Sequence, residues 1–120
     1  MRAAVAIVFL ISGCATVTEI VSEPPLMTVI STKSPREGSQ CLIRALNAAS
    51  WPLGTQVPAY QQDLGDEQRV LLGSDLVIGV FSLRPAGSGS RMTVHHNPNP
   101  YSAWRGSYIE IQRMAARSCP

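Results

Sequence analysis

The sequence carries little charge of either sign. Charged residues make up 15% of the 120, with 10 Lys and Arg against 8 Asp and Glu, for a formal net charge of +2. Proteins that bind DNA or RNA present a dense basic face to the phosphates. This balance argues against a nucleic-acid partner.

Long hydrophobic runs are also missing. The apolar run from Ala3 to Ile11 is far shorter than the roughly 20 residues that a helix needs to cross a bilayer. Arg2 precedes this run, and two small residues, Ser12 and Gly13, follow it. A positive start, a short apolar core and a small-residue exit are typical of a secretory signal peptide. The sequence therefore predicts an exported protein.

The end of this segment carries a more specific motif. Ile11-Ser12-Gly13-Cys14 resembles the lipobox of bacterial lipoproteins, in which an apolar residue and two small ones precede a cysteine. The resemblance implies that the Cys14 thiol receives a diacylglycerol, that cleavage follows Gly13, and that the new amino group is acylated. More than one acyl chain anchors a protein stably, so a lipid bilayer is the implied partner. The alternative is an ordinary signal peptide cut nearby, with Cys14 left as a free thiol.

The resemblance also implies an address. Inner-membrane retention in this family depends on an aspartate after the lipidated cysteine, and this chain has Ala15 there. In a Gram-negative host the implied location is the outer membrane, facing the periplasm. We predict a signal peptide over residues 1–13, a lipidated N-terminus and extended tether over 14–25, and one domain over 26–120. Removal of the signal leaves 120 − 13 = 107 residues, which suits a single domain.

Cysteine is scarce, with three residues in the chain. If Cys14 is lipidated, as the resemblance implies, Cys41 and Cys119 remain. Disulfides persist outside the cytoplasm. We therefore predict a Cys41–Cys119 disulfide, provided that the two Cα atoms come within about 7 Å.

Local patterns predict two helices and several strands. Ser34, Pro35 and Glu37 form a helix start with a capping box, and this helix should end near Ser50. Apolar residues recur at helical spacing over 101–118, and residues 76–83 are the strongest candidate for a central strand. Other strand candidates are 26–32, 55–61, 68–72 and 91–96, with a flexible turn at 85–90.

These elements predict an α+β domain of two layers, in which two helices cover one face of a three- or four-stranded antiparallel sheet. The chain has a cysteine-bearing helix opened by Ser-Thr-Lys-Ser-Pro, then strands, then a terminal cysteine. This order of elements is similar to that of small bacterial envelope lipoproteins. That resemblance implies no activity.

Catalytic and metal motifs are absent from the sequence. His95 and His96, with Cys41 and Cys119, would supply four zinc ligands, but the short spacings of structural zinc sites are missing. Adjacent strand residues also point to opposite faces, so we interpret the histidine pair as a solvated strand end. There is no Gly-x-Ser-x-Gly nucleophile motif and no phosphate-binding loop. The sequence predicts a protein without catalytic residues, metal or cofactor.

Aromatic residues are few, and two of them are candidates for a partner surface. Trp51 and Tyr101 flank predicted helices, whereas Trp104 and Tyr108 fall on the apolar stripe of the second helix. We hypothesise a non-catalytic envelope lipoprotein with a structural or interaction role, with an envelope protein as a possible partner. One alternative is an inhibitor or immunity-type module that binds an exported enzyme, and another is a small hydrolase. The glycine-rich composition of residues 85–90 does not favour a rigid inhibitory loop.

Overall fold

The computed structural model describes residues 16–74, 76–98 and 105–120. Within these ranges the chain forms three α-helices, one short 3-10 helix and five strands. The helices are α1 (Val17–Ser22), α2 (Pro35–Ala48) and α3 (Arg105–Arg117), and the 3-10 helix is Pro52–Gly54. The strands are β1 (Met27–Ser31), β2 (Ala59–Leu64), β3 (Glu67–Leu72), β4 (Gly79–Ala86) and β5 (Gly89–His96). No helix in the described part of the chain is both long and apolar enough to span a membrane.

All five strands form one antiparallel sheet in the order β1-β5-β4-β3-β2. The α+β class is confirmed, and the strand predicted to be central, β4, lies in the middle. The predicted count of three or four strands is wrong, because the weakly patterned β1 and β2 both pair as edge strands. Strand β2 begins at Ala59, after Pro58, since proline has no N–H to donate to the ladder.

The β4–β5 hairpin is tighter than predicted. The predicted flexible turn at 85–90 reduces to Gly87 and Ser88, and the ladder extends to the Ala86–Gly89 pair. Gly87 has a positive φ of 58°, a conformation that glycine adopts at no steric cost. Two residues therefore suffice to reverse the chain.

Helices α2 and α3 cover one face of the sheet and enclose the main core. Helix α2 begins as predicted, since the Ser34 side chain accepts from the Glu37 N–H and the Glu37 carboxylate accepts from the Ser34 N–H, both at 3.2 Å. Its fully buried Leu42 and Leu46 pack over alternate residues of the strands. The sheet contributes fully buried Val70, Leu72, Phe81, Leu83, Met92 and Val94 to this core.

The predicted disulfide joins these two helices. Cys41, in α2, is bonded to Cys119, just after α3, with the Cα atoms 5.9 Å apart. The bond closes a sequence separation of 78 residues. The last residues of the chain are thereby fixed to the helical layer.

The opposite face of the sheet carries α1, where the sequence predicted an extended tether. Thr16 and Glu19 form a reciprocal capping box, and Ile20 is fully buried. Helix α1 contacts β4 and β5. The prediction of extended backbone is wrong for residues 17–22, because the cap at Thr16 and the burial of Ile20 stabilise a helical turn on the sheet.

Candidate functional site

A polar cleft lies on the sheet face that carries α1. Its volume is about 330 Å³, and Val21 of α1 forms one wall. The sheet supplies the remaining lining residues, which are Glu67, Arg69, Ser82, Arg84, Arg91, Thr93 and His95. We call this site the arginine cleft.

Strand register explains why these residues meet. Arg69 pairs with Ser82, and Ser82 pairs with Thr93, while Arg84 pairs with Arg91. Side chains alternate between the two faces of a strand, so these residues point away from the Phe81 and Leu83 side of the sheet. The sequence positions are distant, and the sheet alone brings the guanidinium groups together.

Glu67 organises two of the three arginines. Its carboxylate accepts from Arg69 Nε at 2.6 Å and from Arg84 Nη2 at 3.0 Å. Burial raises the pKa of Glu67, but the hydrogen bonds and charges of Arg69 and Arg84 outweigh it and hold the pKa below its usual value. Glu67 is therefore ionised at neutral pH.

Arg91 is the third guanidinium of the cleft. Among the described residues no carboxylate lies within ion-pair distance of it. Three arginines against one carboxylate leave two positive charges on the cleft lining. An anionic group is the ligand that such a lining attracts.

Exposed hydrophobic side chains border the cleft on the same sheet face. Ile30 of β1 pairs with Arg91, and Leu64 of β2 pairs with Glu67, so both share its face. Tyr60, which pairs with Leu71, also lies on it. The exposed fractions are 64% for Ile30, 52% for Tyr60 and 47% for Leu64. The face thus combines positive charge with apolar side chains at both sheet edges.

The histidine pair is buried, which corrects the prediction of a solvated strand end. His95 is 8% exposed on the sheet face that carries α1, whereas His96 Nδ1 lies 2.9 Å from Gln112 Nε2 on the α3 side. The strand end is covered on both faces, which the sequence did not indicate. Because the two rings point to opposite faces and the two sulfurs are bonded to each other, the four-residue zinc set does not assemble. No cluster of three or more potential metal ligands occurs among the described residues.

Acidification should destabilise the fold through His95. Burial lowers the pKa of His95 below its ordinary value of 6.5, and the charge of Arg69 lowers it further against the opposing hydrogen bond to Glu23. The unfolded chain then binds the proton more readily than the folded chain. Stability is unaffected by this group above about pH 6.5 and falls as the pH drops below that value.

Urea unfolding of the wild type and of His95→Gln at about pH 7.5 and about pH 5.5 measures this effect. Glutamine keeps a donor for the Glu23 carbonyl but does not titrate. We expect a smaller loss of stability on acidification in the variant. An equal loss in both proteins would show that His95 does not cause the pH dependence.

Trp51, one of the predicted candidates for a partner surface, is buried. Its side chain is 5% exposed, its indole N–H donates to the Leu46 carbonyl at 3.3 Å, and its ring tilts against Tyr108 with centroids 5.8 Å apart. The 3-10 helix that follows α2 turns the indole over the core. Tyr108 is half-buried against this core, as predicted. The other candidates, Tyr101 and Cys14, lie outside the described residues, as does Trp104.

A second concavity lies between α2 and α3 and has a different character. It has a volume of about 450 Å³ and is lined mainly by small and apolar residues, including Ala45, Ala49, Ile111 and Met114. No titratable side chain lines it, so its two serines, Ser50 and Ser118, have no acid or base beside them in the concavity. The arginine cleft is the stronger candidate for recognition of a charged ligand.

Sequence reasoning missed the arginine cleft, although one signal pointed to it. Within each strand the cleft residues occupy alternate positions, as Glu67 and Arg69 do in β3 and Ser82 and Arg84 do in β4. No protein-family model, curated protein or solved structure matches the chain.

Proposed function

We propose that this chain is a lipoprotein of the bacterial envelope, anchored through acylated Cys14 at the periplasmic face of the outer membrane, with a non-catalytic interaction role. The observation that carries the proposal is the pairing of Cys41 with Cys119. Such disulfides persist in oxidising compartments, which supports export. The pairing accounts for two of the three cysteines of the sequence, and the third is Cys14 of the lipobox-like motif.

The chemistry of the arginine cleft supports binding over catalysis. His95 is the general-base candidate in the cleft, but its Nδ1 is buried without a hydrogen-bond partner. Neither Ser82 nor Thr93 is therefore paired with an activating base there. The two-residue turn at Gly87 and Ser88 also projects no extended loop into a partner's active site, so we do not favour the inhibitor alternative.

Metabolic labelling with a radioactive fatty acid tests the anchor. The wild type should incorporate label and Cys14→Ser should not. The double variant Cys41→Ser with Cys119→Ser is the matched control, because it removes two thiols and should still be labelled. Equal labelling of wild type and Cys14→Ser would remove the lipoprotein proposal.

The predicted membrane can be tested in the same cells. Density-gradient separation should place the labelled wild type with the outer membrane, and Ala15→Asp should shift it to the inner membrane. Recovery of the wild type in the inner membrane would contradict the proposed location.

A further inference from the structure

The short helix α1 fixes where the proposed anchor lies relative to the domain. Cys14 precedes Val17, the first residue of α1, by three residues, and an extended chain covers at most about 3.6 Å per residue. The lipidated sulfur is thus attached within about 11 Å of α1 along the backbone. Because α1 packs on the sheet through buried Ile20, the sheet face with the arginine cleft is the face nearest to the anchor.

That face carries a row of side chains that crosses the sheet from edge to edge. Register and ion pairing place Ile30, Arg91, Arg84, Glu67 and Leu64 in this order from β1 to β2. Exposed aliphatic side chains stand at both edges, and two arginines stand between them. A surface of aliphatic and basic side chains suits the boundary between acyl chains and anionic headgroups.

We propose that this sheet face rests on the bilayer, with Arg84 and Arg91 against anionic phospholipid headgroups and Ile30 and Leu64 at the acyl-chain boundary. The inference rests on the proposed lipidation of Cys14. A tether of three residues holds the face at the bilayer at an effective concentration on the order of millimolar or above. Another macromolecule would have to compete for this sheet face with a bilayer that is always within reach of it.

Four acidic residues on or beside the face stand against its three arginines. Glu67 accepts from Arg84, Asp66 lies just before β3, Glu19 is in α1 and Glu23 follows α1. The Glu19 carboxylate accepts from the Thr16 N–H at 2.9 Å within the cap. Attraction to the bilayer is therefore local to Arg84 and Arg91, and the aliphatic side chains add to it.

Site-specific photocrosslinking in intact cells tests this orientation. A photoreactive amino acid is placed at Ile30 or, as a matched control, at Met114 in α3 of the opposite layer. Their exposed fractions are 64% and 60%, so accessibility does not distinguish them. We expect phospholipid adducts at Ile30 and none at Met114. Equal lipid adducts at both positions, or adducts to a protein in place of lipid at Ile30, would overturn the proposal.

Charge neutralisation provides the second arm. Each arginine near an anionic membrane contributes about 1 kcal/mol, so Arg84→Gln with Arg91→Gln should lower the ratio of docked to undocked domain by about thirtyfold. The control, Arg44→Gln with Arg117→Gln, removes the same charge from exposed positions in the helical layer and should leave the Ile30 adduct unchanged. Equal effects of the two double variants would contradict the proposed arginine contacts.

Fatty-acid labelling of every variant separates the proposed orientation from the proposed anchor. A labelled protein without Ile30 adducts refutes the orientation and leaves the anchor intact.

Discussion

Replacement of both Cys41 and Cys119 by alanine is expected to lower the free energy of unfolding by about 2–5 kcal/mol. The bond spans 78 residues, most of the described domain, so it removes a large set of conformations from the unfolded chain. The chain-entropy model gives about 4.5 kcal/mol for a loop of this size, and native strain reduces such values. Because small domains have a total stability of about 5–15 kcal/mol, the variant should unfold at a much lower urea concentration.

Urea unfolding of oxidised wild type, reduced wild type and the double variant measures this effect. Reduced wild type and the variant should share a midpoint, because both lack the same covalent bond. Cys14→Ser is the control, since that residue has no part in the disulfide. An unchanged midpoint on reduction would show that α2 and α3 hold their positions without it.

Ile20→Ala is expected to have the second-largest effect, and should lower the free energy of releasing α1 from the sheet by about 2–5 kcal/mol. Ile20 is fully buried, and α1 has only six residues, too few to remain helical without packing. Loss of the side chain should release α1 from the sheet while the core under α2 and α3 stays folded. Released α1 should also expose His95, whose pKa should then rise towards its ordinary value because its burial is lost.

Hydrogen exchange and NMR titration distinguish this local release from global unfolding. In Ile20→Ala we expect fast exchange of α1 amides, unchanged protection of β4 and β5, and a raised His95 pKa. Thr18→Ala, an exposed change on the same helix, should alter stability by no more than about 0.5 kcal/mol. Full protection of α1 in Ile20→Ala would mean that other contacts hold the helix.

The features that sequence reasoning predicted well have local causes. The capping box at Ser34 and Glu37 involves residues three apart, and the continuous apolar run that ends in Leu83 indicates a central strand. The disulfide was predicted through the implied fate of Cys14 and is confirmed. Each of these inferences needed only neighbouring residues or a small set of candidates.

The features that were missed depend on what covers a segment. Helix α1 carries its own capping box at Thr16, but its existence depends on burial of Ile20 against strands about 60 residues further along the chain. The histidine pair is covered by two helices that are remote from it in sequence, and Trp51 is buried by the turn that follows α2. The residue pattern within one segment does not show which remote segments pack against it.

The place of β1 in the sheet governs when the sheet can be completed. Within the described sheet its sole neighbour is β5, the last strand, and Met27 pairs with Val94 across a separation of 94 − 27 = 67 residues. A nascent chain that has not yet reached residue 94 therefore leaves an early β-rich segment without its hydrogen-bonding partner. Non-local pairing of this kind slows folding, and the unpaired segment is exposed to aggregation meanwhile. C-terminal truncation before β5, which also removes Cys119, should accordingly yield insoluble product.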